Sequence, residues 1–216
     1  MPSTEPTAAE RAAVERPILF SAPMVRAILE DRKAQTRRVM KPQPRSGQTW
    51  GDVEESEQYI DEWFQWFDGG SKTASFSCPY GAPGDRLWVR ETLRPSQSQV
   101  VTYAEDGCPA WRHGESVTWP WPKTPLVRTA IFMPRWASRI LLEIVEVRAQ
   151  RLREISEADA TEEGIGAWFE DHPHPEWDGD RDEYRKGFQE LWDAINRKSH
   201  PWSSNPWVWA VSFKRI

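Results

Sequence analysis

What this chain lacks narrows its possible roles before any motif is read. No apolar run approaches the roughly 20 residues that a membrane helix requires, so a soluble protein is expected. Residues 1–16 lack the basic start, apolar core and small-residue cleavage site of a secretory signal. They are Ala, Glu, Pro and Thr with scattered charge, and they read as a disordered leader on a cytoplasmic chain. Cysteine is nearly absent. Cys78 and Cys108 are too few for a disulfide scaffold or a cysteine-based zinc site; one bridge is open to them in an oxidising compartment, but both are expected reduced. There is no Walker loop and no glycine-rich dinucleotide fingerprint, so ATP- or NAD-dependent chemistry has no support and no cofactor is expected. A basic excess is missing too: a net charge of -5 argues against a protein that coats nucleic acid through bulk electrostatics.

What is abundant is tryptophan and proline, 14 and 18 residues beside 4 Tyr and 12 Gly, so the largest aromatic dominates the supply. A length of 216 residues fits one domain with insertions or two small ones, and one decorated core is the reading adopted. The charge is unevenly spread. Residues 26–45 hold seven basic side chains against Glu30 and Asp31, whereas residues 52–68 hold seven acids and no base. Residues 154–190 hold thirteen acids against Arg181, Arg185 and Lys186. A local basic site on an acidic body suits a small anionic ligand such as a nucleotide better than a long duplex; a solvated charged face is the alternative.

Periodicity places the elements. Residues 17–20 read as a short strand, and Ser21 with Pro23 opens a helix over 22–31 that carries Met24, Ala27 and Ile28 at helical spacing. Residues 35–40 look extended. In the acidic stretch, Tyr59, Ile60, Trp63, Phe64 and Phe67 are spaced for an amphipathic helix ending at Gly69 and Gly70. Pro83, Gly84 and Asp85 form a turn before a strand at Leu87, Trp88 and Val89, and residues 94–128 read as a long loop or hairpin. Residues 140–147 form a strand, Ser156 with Asp159 a capping box for a helix stopped by Gly164, residues 184–195 an amphipathic helix, and residues 208–213 a closing strand. Strands and helices in this order, without βαβ repetition, predict an α+β fold built on a small barrel or mixed sheet.

The densest polar cluster runs from Asp31 to Arg38 at a helix-to-strand junction. On a strand beginning near Gln35, Thr36 and Arg38 share a face. Lys33 then reaches over the Thr36 hydroxyl. A lysine held neutral by burial or neighbouring cations can take the threonine proton and make it a nucleophile. Anion binding and a solvated cluster remain the alternatives for Arg32, Lys33, Arg37 and Arg38.

With Lys33, Thr36 and Arg38, residues 17–40 resemble the opening of the ASCH domain family, a branch of the PUA-like β-barrel superfamily, whose signature is Gly-x-Lys-x-x-Glu-x-Arg with Thr in the Glu position in some members. Residues 83–89 resemble its Gly-Asp turn and strand, residues 140–147 and 155–165 its next strand and short helix, and residues 207–216 its closing strand. These pieces cover about half the chain, in the family's order. The resemblance implies one PUA-like domain over 17–216 with insertions at about 41–77, 93–128 and 166–200. It also implies the chemistry of small bacterial enzymes that hydrolyse N4-acetylcytidine: Lys33 as proton acceptor, Thr36 as nucleophile and Glu163 as proton donor to the leaving amine. Arg38 would orient the base or steady the oxyanion. Asp31 stands where the signature has Gly, putting a carboxylate within reach of Lys33.

Residues 133–139 resemble a stretch of longer members encoded by bacteriophages and prophages. There Arg135, Trp136 and Arg139 read either as stacking and phosphate contacts or as packing against the barrel. His172 and His174 without a third ligand do not make a metal site, and Asp178–Asp182 fails the calcium-loop pattern at Glu183 and Gln189. No metal is expected. Three functions follow: recognition of a modified nucleoside with hydrolysis of the N4-acyl amide of cytidine, a non-catalytic module binding single-stranded RNA or DNA, or a metal-independent ribonuclease. None involves a membrane.

Overall fold

The structure, a computed structural model, describes residues 12–43, 48–52, 64–68, 71–72, 77–120, 126–171 and 184–216. In chain order the elements are β1 (Glu15–Leu19), α1 (Ala22–Leu29), β2 (Gln35–Val39), β3 (Gln48–Asp52), β4 (Phe64–Asp68), β5 (Ser71–Lys72), β6 (Arg86–Arg90), β7 (Leu93–Pro95), β8 (Val101–Tyr103), β9 (Trp111–Arg112), β10 (Glu115–Ser116), β11 (Leu141–Arg151), α2 (Glu157–Glu162), α3 (Ile165–Asp171), α4 (Tyr184–Asn196) and β12 (Trp207–Arg215). The fold is mixed α+β. Its central sheet has the order β1-β6-β11-β12-β2, with β1 parallel to β6 and the other pairings antiparallel. Among the described residues the sheet is open, so of the two expected forms, small barrel or mixed sheet, it is the mixed sheet that is seen. Arg38 Nη2, on one edge strand, nevertheless donates to Leu19 O at the end of the other, so the two edges approach at that point.

Each face of the sheet is buried by alternation along the strands. One face packs Leu87, Val89, Leu142, Ile144, Trp209, Val211 and Phe213 against Val25 and Ile28 of α1. In β11 the register shifts between Ile144 and Glu146, so Val145 is an extra, exposed residue and Val147 returns to the core. That bulge explains the adjacent apolar pair Ile144 and Val145 in a strand that otherwise alternates. The helical layer buries a second cluster, Leu152, Ile155, Ile165, Phe169, Phe188, Leu191, Trp192 and Trp202 against Val208.

One expectation is corrected and two others are sharpened. Phe64 and Phe67 lie in β4, paired antiparallel with β3 and β5, where a helix was expected. Aromatics suit a strand when a partner is supplied from further along the chain, and here β3 supplies it; Tyr59, Ile60 and Trp63 lie outside the described residues. Residues 94–128, read as a long loop or hairpin, hold two hairpins, β7–β8 and β9–β10, around a small core of Leu93, Val101, Tyr103, Ala110, Trp119, Met133 and Ala137. Glu15 and Arg16, placed by the sequence in the leader, lie in β1, and just before it Val14 N donates to Asp85 Oδ1 while Arg16 Nη1 donates to Asp85 Oδ2 at 2.7 Å. Helix α3, a single short segment after Gly164, was missed in the sequence. Cys78 is buried and Cys108 exposed, and the two form no disulfide with each other.

Candidate functional site

Two helix ends build the site. Helix α1 stops in a Schellman motif, with Arg32 N donating to Ala27 O at 2.7 Å and Asp31 N to Ile28 O at 3.1 Å. The motif needs a left-handed residue at Asp31, whose φ is 56°. Glycine fits that conformation best and aspartate tolerates it, so Asp31 meets the backbone demand without a glycine. Its carboxylate accepts from Arg215 Nη2 at 3.0 Å and does not pair with Lys33. Helix α2 begins as predicted, with Asp159 N donating to Ser156 Oγ and Ser156 N to Asp159 Oδ2. It ends at Glu163, and Gly164 turns the chain at φ 78°.

The turn after α1 throws Lys33 against the end of α2. Its Nζ donates to Glu163 Oε2 at 2.9 Å, to Glu163 O at 2.6 Å and to Gln35 O at 2.7 Å. Lys33 and Glu163 are both buried, and they lie far apart in sequence. The ammonium thus neutralises Glu163 and caps the carboxyl end of α2, where a cation is favoured. Burial pushes the Lys33 ammonium below its usual range and Glu163 opposes that push; Arg38 and Arg37 add to the drop. Phe20 completes the surroundings, its ring centroid 5.5 Å from Lys33 Nζ and 5.2 Å from the Arg38 guanidinium.

Strand register divides the remaining residues between two faces. Thr36 pairs with Val211 and Arg38 with Trp209, so both lie on the face that carries the main core. Gln35 and Arg37 point to the helical layer. Thr36 is buried beside the Lys33–Gln35 contact, since Gln35 O belongs to the peptide bond that Thr36 continues; among the described residues no hydrogen bond joins Lys33 Nζ to its hydroxyl.

Arg37 was expected at an anion-binding surface, but its side chain is 0% exposed. It donates to Gln35 Oε1 and Glu163 Oε1, and its Nη2 lies 3.0 Å from Asp159 Oδ2, an ion-pair contact not aligned as a hydrogen bond. The cation is committed to holding α2 on the sheet. Burial pushes the Asp159 carboxyl up, but the Ser156 amide, Arg37, Arg148 and Gln35 outweigh it and hold the group at about 2. Arg32 is spent on Glu30 and Glu170 at the surface.

The second expected group divides similarly. Arg139 donates in a fork to the buried Glu91, Nε–Oε1 3.0 Å and Nη2–Oε2 2.8 Å, contacts Asp106, and stacks 3.9 Å from the Tyr103 ring centroid. It fastens the hairpin module to β6 and is not presented to a ligand. Arg135 is exposed and donates to Glu15 at 2.8 Å. Trp136 is half-buried on the third core, with the Arg112 guanidinium 5.7 Å from its centroid. His172, His174 and Asp178–Asp182 lie outside the described residues, and among those described no group of His, Cys, Asp or Glu could hold a metal ion.

Gly164 is the residue that sequence reading treated as a helix stop and missed as part of the site. A Cβ built there would lie 3.0 Å from Lys33 Cβ and 3.1 Å from Ala27 Cβ. Gly164→Ala is expected to cost about 1–2 kcal/mol in urea unfolding through its left-handed backbone, and to shift Lys33 as well.

No protein-family model matches the chain. No curated protein matches it either. Among solved structures it is similar to protein EF3133 from Enterococcus faecalis V583, described by family model DUF984, with a TM-score of 0.37 and 10% identity over 96% of this chain and 84% of that one. A likeness of that size assigns neither fold family nor activity. No helix of the described residues is long and apolar enough to cross a membrane.

Proposed function

We propose that this chain is an ASCH-type, PUA-like hydrolase that removes the N4-acyl group from a cytidine-like nucleoside, with Thr36 as nucleophile and Lys33 and Glu163 as its proton-handling pair. The observation that carries the reading is the buried Lys33–Glu163 contact of 2.9 Å beside the start of β2, the strand that bears Thr36. Proximity without solvent lets the pair exchange a proton: transfer from Lys33 Nζ to Glu163 Oε2 yields a neutral amine and a neutral acid, the forms that acyl transfer needs. Burial of Lys33 favours that state.

The steps then balance. Nζ turns from Gln35 O to the Thr36 hydroxyl and takes its proton while Oγ1 bonds to the acyl carbon. The carbon–N4 bond breaks, and N4 leaves as an amine with the Glu163 proton. Water then attacks the Thr36 ester and gives a proton to Glu163; Oγ1 leaves with the proton held on Lys33, releasing the carboxylic acid product. Arg38, on the same face as Thr36, is the cation nearest to developing oxyanion charge.

N4-acetylcytidine supplied to the purified protein is expected to yield cytidine and acetate, and Thr36→Val, which keeps shape and removes the hydroxyl, is expected to abolish the reaction without lowering the melting temperature. Intact substrate with the native chain, or full turnover by Thr36→Val, would falsify the reading.

One observation favours a second reading. All three protons of the Lys33 ammonium have acceptors, an arrangement that locks the side chain in place as a helix cap. A non-catalytic nucleoside or single-strand binding module would keep Lys33 in that state, and measurable binding of N4-acetylcytidine without turnover would identify it.

A further inference from the structure

The Glu163 carboxylate carries a cation on each oxygen. Lys33 Nζ donates to Oε2 at 2.9 Å, and Arg37 Nη1 donates to Oε1 at 3.2 Å. The two cations differ in kind. An amine can give up its proton, whereas a guanidinium does not do so in proteins, so the charge that Arg37 brings to the pair is permanent.

That charge is also fixed in place and shielded from water. Asp159 Oδ2 lies 3.0 Å from Arg37 Nη2, Arg148 Nη2 of β11 donates to Asp159 Oδ1 at 3.0 Å, and the Phe188 ring centroid of α4 lies 5.8 Å from the Arg37 guanidinium. The other groups around the pair, among the described residues, stand further back. Glu162 of α2 and the Ser212 hydroxyl of β12 both meet Gln35 Nε2, and Arg38 shares the Phe20 ring with Lys33 and couples to Tyr80.

We infer that Arg37 is the positioning residue that sets how many protons the Lys33–Glu163 pair carries. A permanent cation on the shared carboxylate opposes every proton added to the pair, on nitrogen or on oxygen, and burial keeps water from screening it. The pair then holds one proton over the neutral range, the count from which the proposed acyl transfer starts, and does not take a second. The use of that count in catalysis rests on the proposed function. The hold of Arg37 on Lys33 does not, and it is measurable without substrate.

The test reads Lys33 by NMR in protein carrying isotope-labelled lysine, its side-chain carbons identified by their loss in Lys33→Arg. In the native chain Nζ is expected to give up its proton below the usual lysine range. Removing a cation tightens proton binding, so Arg37→Met is expected to move that loss to higher pH by about one unit or more. Asp159→Asn keeps an oxygen for the Ser156 amide and removes a negative charge, so it is expected to move the loss to lower pH. With N4-acetylcytidine as substrate, both limbs of the kcat profile should shift in the same directions; a residue that only clamps α2 would lower kcat alike at every pH. A Lys33 titration left at its native position in Arg37→Met overturns the inference, and where that variant does not fold, an unmoved titration in Asp159→Asn overturns it. A native chain that leaves N4-acetylcytidine intact ends the hydrolase reading alone, and the Lys33 titration then decides for or against Arg37.

Discussion

Lys33→Met is expected to cost about 3–5 kcal/mol of folding stability, the range for a buried ion pair that loses one partner. Methionine fills the volume of the stem but leaves the Glu163 carboxylate with Arg37 alone, and it removes the donor from two backbone carbonyls, Gln35 O and Glu163 O. An unpaired buried charge costs more than the pair gains, because desolvation of each ion is no longer offset by the other. Adding Glu163→Gln to Lys33→Met should therefore recover part of the loss, with a coupling of about 0.5–3 kcal/mol between the two sites. Guanidinium unfolding of the four proteins of that cycle measures it. Strictly additive effects would mean that the contact carries no energy and that Lys33 is held by its stem.

Arg139→Leu is the second large effect, about 3–5 kcal/mol by the same argument. Glu91 is buried, and the Arg139 fork supplies both of its side-chain bonds. Burial raises the Glu91 carboxyl even in the native chain, with Arg139 pulling it back down and Asp106 and Glu105 adding to the rise. Removing Arg139 lets it rise further. A carboxyl whose folded value lies above its unfolded one binds a proton more tightly in the folded state, so stability falls as pH increases from the unfolded value through the folded one. The variant's melting temperature should accordingly drop on going from mildly acidic to neutral pH, more steeply than the native chain's, and Glu91→Gln in the same background should flatten the profile. A variant with the native pH profile would show that water reaches Glu91 and replaces the guanidinium.

Both effects concern arginines or lysines that a charge pattern alone treats as one class. Within residues 26–45 the structure assigns the basic side chains different work: Lys33 caps a helix, Arg37 is sealed under α2, Arg32 pairs at the surface and Arg38 spans the sheet edges. Arg135 and Arg139, four positions apart, diverge in the same way, one exposed beside Glu15 and one clamped on Glu91. The partners of Arg37 and Arg139 stand far along the chain, and no local spacing encodes such a meeting.

The tryptophan excess divides along similar lines. Trp88 and Trp209 lie buried on core strands, and Trp192 and Trp202 fill the helical layer. Trp119 anchors the hairpin module, and Trp111 stays in water. Hydrophobicity marks all of these residues equally. Whether a ring is covered depends on which hairpin folds over it.

By itself the sequence determined what short-range physics controls: α1 and α4 from helical spacing, the extended segments of β2, β6, β11 and β12, and the start and stop of α2 from Ser156, Asp159 and Gly164. It also singled out Lys33 and Thr36, to which the resemblance to the ASCH family added Glu163. Only the tertiary structure decided that Asp31 takes a glycine's conformation and bonds Arg215, that Phe64 and Phe67 join a strand, and that the sheet stays open. Those outcomes rest on contacts between distant segments. The energy of such a contact exists only once the chain has closed on itself, so no window of the sequence contains it.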